Sequence, residues 1–261
     1  MMTSVFDLDR IQAETFVDEI KFRAELPSTN DLALTMARDE DVRLPLLVLA
    51  ERQTCGRGRG TNRWWSADGA LTFSLVLDIT SSSLGAERLP QISLTSALSV
   101  CEALQHLEPT LDVGLKWPND IYVQQRKICG ILIEVPSRPT GRMVVGVGLN
   151  VNNSLADAPE ELCHSAISLC DATGHNADLD DVLIAILRVF SGHLRLLEAN
   201  PKRLQARWQE LSILTGCTVL LDVGRQEVRG VCQGIDADGG LLLKTDQGVQ
   251  RILSGVIREF R

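Results

Sequence analysis

No apolar run in the sequence approaches the roughly 20 residues that an α-helix needs to cross a bilayer. The longest run, residues 44–50, has the length of a strand. Basic residues are also scarce, since 26 Lys and Arg stand against 34 Asp and Glu and give a formal net charge of −8. That charge has the wrong sign for a protein that neutralises phosphates along a nucleic acid. We therefore expect neither a membrane nor a nucleic acid as partner, and any anion site must be local.

The seven cysteines lack the spacing of a redox motif or a zinc site, because no C-x-x-C pair is present. Their number is odd, and residues 1–10 carry acidic residues instead of the basic start and apolar core of a secretion signal. Thiols of proteins that stay inside the cell are normally reduced. The sequence thus predicts a cytoplasmic protein with free cysteines.

Helical and strand patterns are mixed over residues 1–212. Apolar residues at helical spacing predict helices over residues 29–38, 89–107, 183–197 and 201–211. Apolar runs of strand length predict strands over residues 46–50, 70–79, 113–117, 128–135 and 143–151. Because the two kinds of element do not alternate regularly, the pattern indicates an α+β domain with a mostly antiparallel or mixed sheet.

Residues 213–261 have a different pattern, in which short β-type runs alternate with turn signals. The runs lie at residues 217–223, 228–235, 241–245 and 249–253. The turn sequence DADGG, residues 236–240, is typical of the connections between such strands. This pattern predicts a small C-terminal β-barrel domain.

The most informative stretch is QTCGRGRGTNRWW, residues 53–65, directly after a predicted buried strand. Glycines at alternate positions expose backbone N–H groups, and three arginines supply rigid guanidinium groups that suit phosphate and carboxylate together. The stretch is neither a Walker A loop nor a dinucleotide fingerprint, because Thr61 stands where the last glycine of the fingerprint would fall. The alternative is a solvated surface loop with a weak nucleic-acid contact, which the acidic charge of the chain disfavours.

A second stretch, residues 116–134, begins KWPND and continues into an apolar strand. Asn119 and Asp120 lie in a tight bend, where such residues commonly serve the turn itself. Lys127 stands at the start of the strand, and Gly130 removes a side chain and lets a ligand approach the backbone. A lysine there can point its ammonium group at an anion, although a solvated lysine is the ordinary alternative.

The third stretch is VGVGLNV, residues 145–151. In a strand this alternation places the apolar side chains on one face and Gly146, Gly148 and Asn150 on the other. A glycine face suits a flat ring lying on the backbone, with the Asn150 amide offering a donor and an acceptor. Close packing of another element over the glycines is the alternative.

Taken together with Ser28, Thr29 and Asn30, these stretches resemble the motifs of biotin protein ligases, in that family's order. The resemblance implies a catalytic domain related to class II aminoacyl-tRNA synthetases, residues 1–212, and an SH3-like β-barrel, residues 213–261. It further implies that biotin and ATP give biotinyl-AMP and pyrophosphate, with Mg²⁺ accompanying ATP. The biotinyl group would then pass to a lysine of a biotin carboxyl carrier protein, as in acetyl-CoA carboxylase.

The resemblance also implies roles for individual residues. The expected biotin-binding residues are Ser28, Thr29, Asn30, Gln53, Gly56, Arg57, Gly58, Arg59, Lys127 and Gly130. The expected residues near ATP and the adenylate are Trp64, Asn119, Asp120 and Asn150. Lys127, Arg57 and Arg59 are the expected catalytic residues, Asp120 is a weaker candidate for placing metal or water, and no metal ligand set is assigned. We expect the loop of residues 56–63, hereafter the Gly/Arg loop, to close over the intermediate as a lid.

One departure from the family pattern concerns the Gly/Arg loop, where Thr61 and Asn62 replace a usual glycine and arginine and Arg63 follows.

Many family members carry an N-terminal helix-turn-helix domain, and the stretch before the catalytic region, residues 1–21, is too short for one. We therefore expect an enzyme that is not a repressor. A lipoate ligase or octanoyl transferase of the same fold, and a binding module without turnover, are the alternatives. A homodimer stays open, because the family includes monomers and dimers.

Overall fold

A seven-stranded mixed sheet organises the larger part of the chain. The computed structural model describes residues 5–80, 88–137, 141–156, 158–224 and 226–261, so residues 1–4 of the stretch used for the secretion prediction lie outside it. The strands are β1 (Glu19–Leu26), β2 (Leu46–Gln53), β3 (Leu71–Asp78), β4 (Val113–Lys116), β5 (Asp120–Val123), β6 (Arg126–Glu134) and β7 (Arg142–Leu149). Their order is β1-β2-β3-β7-β6-β5-β4, with β1 parallel to β2 and the other neighbours antiparallel. The predicted mixed sheet is confirmed.

Helices cover this sheet on both faces. They are α1 (Leu8–Glu14), α2 (Thr29–Met36), α3 (Leu89–Leu107), α4 (Glu160–Ser165), α5 (Leu169–Thr173), α6 (Leu179–Ala199) and α7 (Pro201–Leu211). Helices α3 and α6 pack against each other over the larger hydrophobic core. Within the described residues, no helix is long and apolar enough to cross a membrane.

Strand β2 shows how the two faces differ. Leu47 and Leu49 enter the larger core, whereas Leu46, Val48 and Ala50 enter a smaller cluster with α2. This alternation follows from the two-residue period of a strand. The face that carries α2 is therefore the one on which Gly146 and Gly148 of β7 also lie, since Cβ atoms added at these glycines would meet Asn30 and Trp64.

The C-terminal part forms a second, antiparallel sheet of five strands. These are β8 (Thr218–Val223), β9 (Gln226–Ile235), β10 (Leu241–Thr245), β11 (Gly248–Ile252) and β12 (Val256–Phe260), in the order β11-β10-β9-β8-β12. The Trp117 indole N–H donates to the Gly239 carbonyl over 2.9 Å, and the apolar residues of both sheets share one core. The division into domains at residues 212 and 213 stays a prediction.

Strand β2 differs from its predicted end at residue 50. It continues through Glu51 and Arg52 to Gln53, because β1 pairs with it through Glu25 opposite Arg52 and Leu26 opposite Gln53. Charged residues can remain in a strand when its neighbour supplies the hydrogen bonds. The extension places Gln53 at the C-terminal end of β2, beside the start of α2.

Candidate active site

A cavity on the α2 face of the large sheet brings together four separated stretches of the sequence. It is bordered by the start of α2, the end of β2, the Gly/Arg loop and the strands β5, β6 and β7. Its lining includes the predicted residues Ser28, Thr29, Asn30, Gln53, Arg57, Gly58, Arg59, Trp64, Asn119, Asp120, Lys127 and Gly130. The structure thus assembles most of the predicted site in one place.

Two predicted site residues are not among the lining residues. Gly56 accepts a hydrogen bond from Trp64 N over 2.9 Å, and a Cβ at this position would overlap the Trp64 carbonyl. Asn150 is buried, donates to the Ile167 carbonyl over 3.3 Å and accepts from Asn153 Nδ2 over 3.1 Å. Gly56 therefore permits the loop to close on itself, and Asn150 fixes the segment after β7, while their roles toward ligands stay predictions.

The start of α2 forms a polar corner with the end of β2. Ser28 caps the helix by accepting from Asp31 N over 3.5 Å. Gln53 Oε1 accepts from both Thr29 N and Thr29 Oγ1, over 2.7 and 3.1 Å. Among the described residues Gln53 Nε2 donates no hydrogen bond, so this amide is available to a ligand acceptor.

The Gly/Arg loop is a tight hairpin. Gly58 N donates to the Asn62 carbonyl over 2.8 Å, and Asn62 N donates to the Arg59 carbonyl over 3.2 Å. Gly60 at the tip has a φ of +63°, a backbone conformation that favours glycine. Asn62 and Arg63 both line the cavity. Of the two residues that depart from the family pattern, Asn62 therefore completes the turn and stays beside the site.

Arg57 is neutralised by carboxylates of the protein itself. Its Nη1 and Nη2 donate to the two oxygens of Glu134 over 3.0 and 2.5 Å, and its Nε lies 2.8 Å from Asp31 Oδ1 as an ion pair without hydrogen-bond alignment. Burial disfavours its charged form, but Glu134 and Asp31 outweigh burial and raise the pKa of Arg57. Neither carboxylate belongs to the predicted site.

Arg59 has only neutral hydrogen-bond partners in the described part of the chain. Its Nη1 donates to Asn119 Oδ1 over 3.4 Å and to the Gly255 carbonyl over 3.3 Å. Burial lowers the pKa of Arg59, and the charge of Asp120 offsets this only in part. Arg59 is therefore the loop arginine whose charge an incoming anion would best complement.

Lys127 faces the cavity from the start of β6, as predicted. Its Nζ lies 2.6 Å from Asp120 Oδ1 and 5.9 Å from the ring centre of Trp64. A Cβ at Gly130 would come within 3.2 Å of the Lys127 Cε and Nζ atoms. Gly130 therefore leaves room for the lysine side chain itself, in addition to the predicted approach of a ligand.

The glycine face of β7 carries aromatic and amide groups of the protein. The Trp64 indole lies against Gly148, where any Cβ would overlap it, and Asn30 lies in the same way against Gly146. Trp64 Nε1 is buried and has no hydrogen-bond partner among the described residues. The alternation predicted for this strand is confirmed for residues 145–149, and the ring that lies on Gly148 is the Trp64 indole of the chain itself.

Two cationic side chains, Lys116 and Arg59, connect the site to the C-terminal sheet. Lys116 Nζ donates to Tyr122 Oη over 3.2 Å and lies 5.0 Å from the ring centre of Phe260 on β12. Burial lowers the pKa of Lys116, against the charge of Asp120, and burial raises the pKa of Tyr122 to about 12. Together with the bond from Arg59 to Gly255, this places the last strands of the chain next to the cavity.

The described residues include no group of three or more His, Cys, Asp or Glu side chains that could hold a metal ion. Asp120, the weaker candidate for placing metal or water, pairs with Lys127. His193 and His175 pair with Glu102 and Glu108 away from the cavity. The cysteines are free thiols, as the sequence predicts.

Comparisons with known proteins agree with this geometry. Residues 23–152 match the model of the biotin/lipoate A/B protein ligase family, and residues 216–257 match the model of the biotin protein ligase C-terminal domain. The biotin--[acetyl-CoA-carboxylase] ligase of Mycobacterium tuberculosis is 33% identical over 84% of this chain and 81% of its own length. The solved biotin protein ligase of Aquifex aeolicus, in complex with biotin and ATP, superposes with a TM-score of 0.79 at 31% identity and covers 94% of this chain and 99% of its own.

A longer relative is matched only in part. The bifunctional ligase/repressor BirA of Bacillus subtilis is 31% identical over 215 residues, which are 81% of this chain and 65% of that protein. The chain thus spans less than two thirds of the length of three of the bifunctional relatives it matches.

Proposed function

The chain belongs to the biotin protein ligase family, and from that premise we propose that it joins biotin to AMP and transfers the biotinyl group to a carrier lysine. In the first step a biotin carboxylate oxygen attacks the α-phosphorus of ATP. The bond from that phosphorus to the β-phosphate oxygen breaks, and pyrophosphate leaves. In the second step the amine of a carrier lysine attacks the acyl carbon, loses a proton and releases AMP.

One observation carries the first step: Arg59 and Lys127 line the same cavity as the polar corner of Ser28, Thr29 and Gln53. A carboxylate that attacks a phosphate brings negative oxygens together, and fixed cations stabilise that charge. Arg59 supplies a charge that no carboxylate of the described chain hydrogen-bonds. We assign the reacting carboxylate and phosphate to this part of the cavity.

The two ends of the cavity suit the two substrates. We assign the polar corner to the cyclic urea of biotin, whose N–H and C=O groups match the hydroxyls and the free Gln53 amide. We assign the adenosine to the side of Trp64, whose indole lies beside Lys127 and whose buried N–H is hydrogen-bonded by no residue that the structure describes. Asn119 and Asp120 line the same region.

Mg²⁺ enters this proposal with ATP. Because the described residues hold no cluster of acidic groups for a metal, the phosphates of ATP are its main ligands, as is usual for this ion. When bound, the ion neutralises phosphate charge. Arg59 and Lys127 orient and stabilise the remaining charge.

The test is mass spectrometry of a biotin carboxyl carrier domain after incubation with the protein, biotin, ATP and magnesium. One biotinyl group on one lysine is the expected product, with pyrophosphate released only when biotin is present. Lipoate and octanoate in place of biotin are the matched controls. Modification with those acids and not with biotin would replace the proposed substrate, and tight binding of biotin without pyrophosphate release would leave a binding module.

The remaining predictions about partners belong to this proposal. A carrier protein of acetyl-CoA carboxylase is the expected acceptor, since the relative from Mycobacterium tuberculosis is named for it. A cytoplasmic location agrees with seven free thiols. The absence of a nucleic-acid partner and the oligomeric state stay predictions.

A further inference from the structure

Glu134 is the last residue of β6 and lies on the same face as Gly130 and Leu132, both of which line the cavity. Its carboxylate accepts two hydrogen bonds from Arg57 and a third from Asn30 Nδ2 over 2.9 Å. One carboxylate of the sheet therefore holds both the start of α2 and the Gly/Arg loop.

Of these two partners, Asn30 is fixed independently. Its Nδ2 also donates to the Leu132 carbonyl over 3.3 Å, and its Oδ1 accepts from Ser74 Oγ over 2.5 Å. Asn30 is buried and lies against Gly146. Every polar atom of its side chain is thus engaged with the protein, which argues that Asn30 supports the wall of the cavity.

Arg57, in contrast, belongs to a loop that has few other attachments. Its backbone bridges Arg63, so that the two ends of the loop move together. The paired hydrogen bonds to Glu134 fix the plane of its guanidinium, because such bidentate pairs are directional and strong. Asp31 adds an ion pair to Nε at 2.8 Å. Arg59, two residues further on, faces the cavity from this anchored loop.

We propose that Glu134 is a positioning residue, which orients Arg57 and thereby holds the Gly/Arg loop against the sheet with Arg59 facing the incoming anion. The effect on substrate rests on the proposed function. The effect on the loop does not, since it concerns the protein without ligand. In the opposite arrangement, Glu134 competes with the substrate carboxylate for Arg57. Removal of the Glu134 charge would then strengthen the binding of biotin, whereas the positioning role predicts weaker binding.

The first test compares Glu134→Gln with Glu25→Gln in the ligand-free protein. Glutamine keeps the shape and the acceptor for Asn30 but loses the charge that pairs with Arg57. Glu25 pairs with Arg52 across β1 and β2, so its variant removes a carboxylate–arginine pair elsewhere. We expect trypsin to cut after Arg59 and Arg63 about tenfold faster in Glu134→Gln, because cleavage follows the population of the open loop. Glu25→Gln should match the wild type.

The second test separates positioning from general damage. Biotin binds to the form in which the loop is in place, so a loop that is open more often should raise the KM for biotin about tenfold in pyrophosphate release and leave kcat at saturation nearly unchanged. A merely structural loss would lower the active fraction, and with it kcat, at constant KM. A lower KM would show that Glu134 competes with the substrate, and it would overturn the proposal.

Arg57→Gln provides an independent variant that breaks the same pair from the loop side. If Glu134 acts through Arg57, the double variant should be cut after Arg59 and Arg63 no faster than either single variant, since coupled residues are not additive. Additive rates, or wild-type rates in all three variants, would refute the proposal. If the wild type releases no pyrophosphate with biotin, the proposed function fails, and the cleavage rates still decide the role of Glu134.

Discussion

Lys127 occupies a position between a carboxylate and an aromatic ring at the edge of the cavity. It is paired with Asp120 at 2.6 Å, and about a third of its side chain is exposed. An anion that enters the cavity can therefore share its ammonium group without desolvating a new charge. The same exposure means that folding depends little on this side chain.

Lys127→Ala should reduce kcat for pyrophosphate release by about 10² to 10³, the usual loss when one donor to developing charge is removed. The melting temperature should stay close to that of the wild type. Lys21→Ala is the matched control, because Lys21 pairs with Glu19 on β1 away from the cavity. A folded Lys127→Ala protein with near-normal turnover would remove Lys127 from the mechanism.

Gly148→Val should weaken ATP binding, because any side chain at position 148 displaces the Trp64 indole. We expect a rise of about tenfold or more in the Kd of ATP, measured by calorimetry, as a stacked ring typically contributes about 1–3 kcal/mol. Gly192→Ala, on α6 with open space around it, controls for the loss of a glycine. Unchanged ATP binding in a folded Gly148→Val protein would place the nucleotide elsewhere.

At this scale the residue types of the site are predictable and their pairing is not. The alternation of residues 145–151 indicates which face of β7 lies at the cavity, because strand period is a local property. Glu134 is 77 residues from Arg57 in sequence, and nothing local connects them. The charge of Arg57 is accordingly neutralised by two carboxylates, of Asp31 and Glu134, that the sequence does not connect with it.

The Gly/Arg loop has little apolar packing to stabilise it, since none of its residues belongs to either hydrophobic cluster. Its attachments to the rest of the chain are polar and lie at Arg57 and Arg59. Segments held in this way open at low free-energy cost. The loop is therefore suited to open and close over the cavity.

If the loop is a lid, biotin with ATP should protect it from trypsin. Cleavage after Arg57 or Arg59 should be detectable in the free protein and slow by about tenfold or more at saturation, because bound ligand stabilises the closed form. Cleavage elsewhere on the chain serves as the internal control. Equal loop cleavage in both states would contradict the lid model and leave the family assignment untouched.

Helices and strands differ in how far the sequence predicts them. The bounds of α3 and α7 agree with the predicted residues 89–107 and 201–211, because strong helical periodicity coincides with a proline in the first turn. Strands β1 and β12 are not predicted, since charged residues interrupt their apolar pattern at the edges of the two sheets. The edge strands depend on pairing with a distant neighbour, which a local pattern does not reveal.

At the scale of the whole molecule, the larger hydrophobic core is continuous and spans both sheets. Trp117 and Trp208 are fully buried, and Leu115 accepts a backbone hydrogen bond from Ile213 just after α7. The apolar residues of β8, β9 and β10 belong to the same cluster as those of α3 and α6. A boundary at residues 212 and 213 therefore does not separate two independent cores.

We expect a single cooperative unfolding transition for the chain. Far-ultraviolet circular dichroism and hydrogen exchange of the C-terminal sheet should give coincident midpoints in urea, which is the standard criterion for two-state behaviour. Two separated transitions would show that residues 213–261 unfold independently, and would contradict the shared core.

The burial of Lys116 near the C-terminal sheet also predicts that the free energy of unfolding depends on pH. Burial lowers its folded-state pKa below the ordinary 10.5, so the unfolded chain binds more protons between these values and stability rises with pH there. Lys116→Met should therefore increase the free energy of unfolding most below this window, and its advantage over the wild type should shrink as the pH approaches 10.5. Lys21→Met controls for added apolar surface. An advantage that is constant with pH would refute this account.

The position of Trp64 has an optical consequence. Trp117 and Trp208 are fully buried in the core, whereas the Trp64 indole lines the cavity. Its N–H has no hydrogen-bond partner within the described chain, and an ammonium group lies 5.9 Å from its ring centre. Indole emission responds to such nearby charge and to the removal of water. If ATP binds on this side of the cavity as proposed, Trp64 is a fluorophore of the chain itself beside the substrate, so binding and reaction should change the emission without any added label.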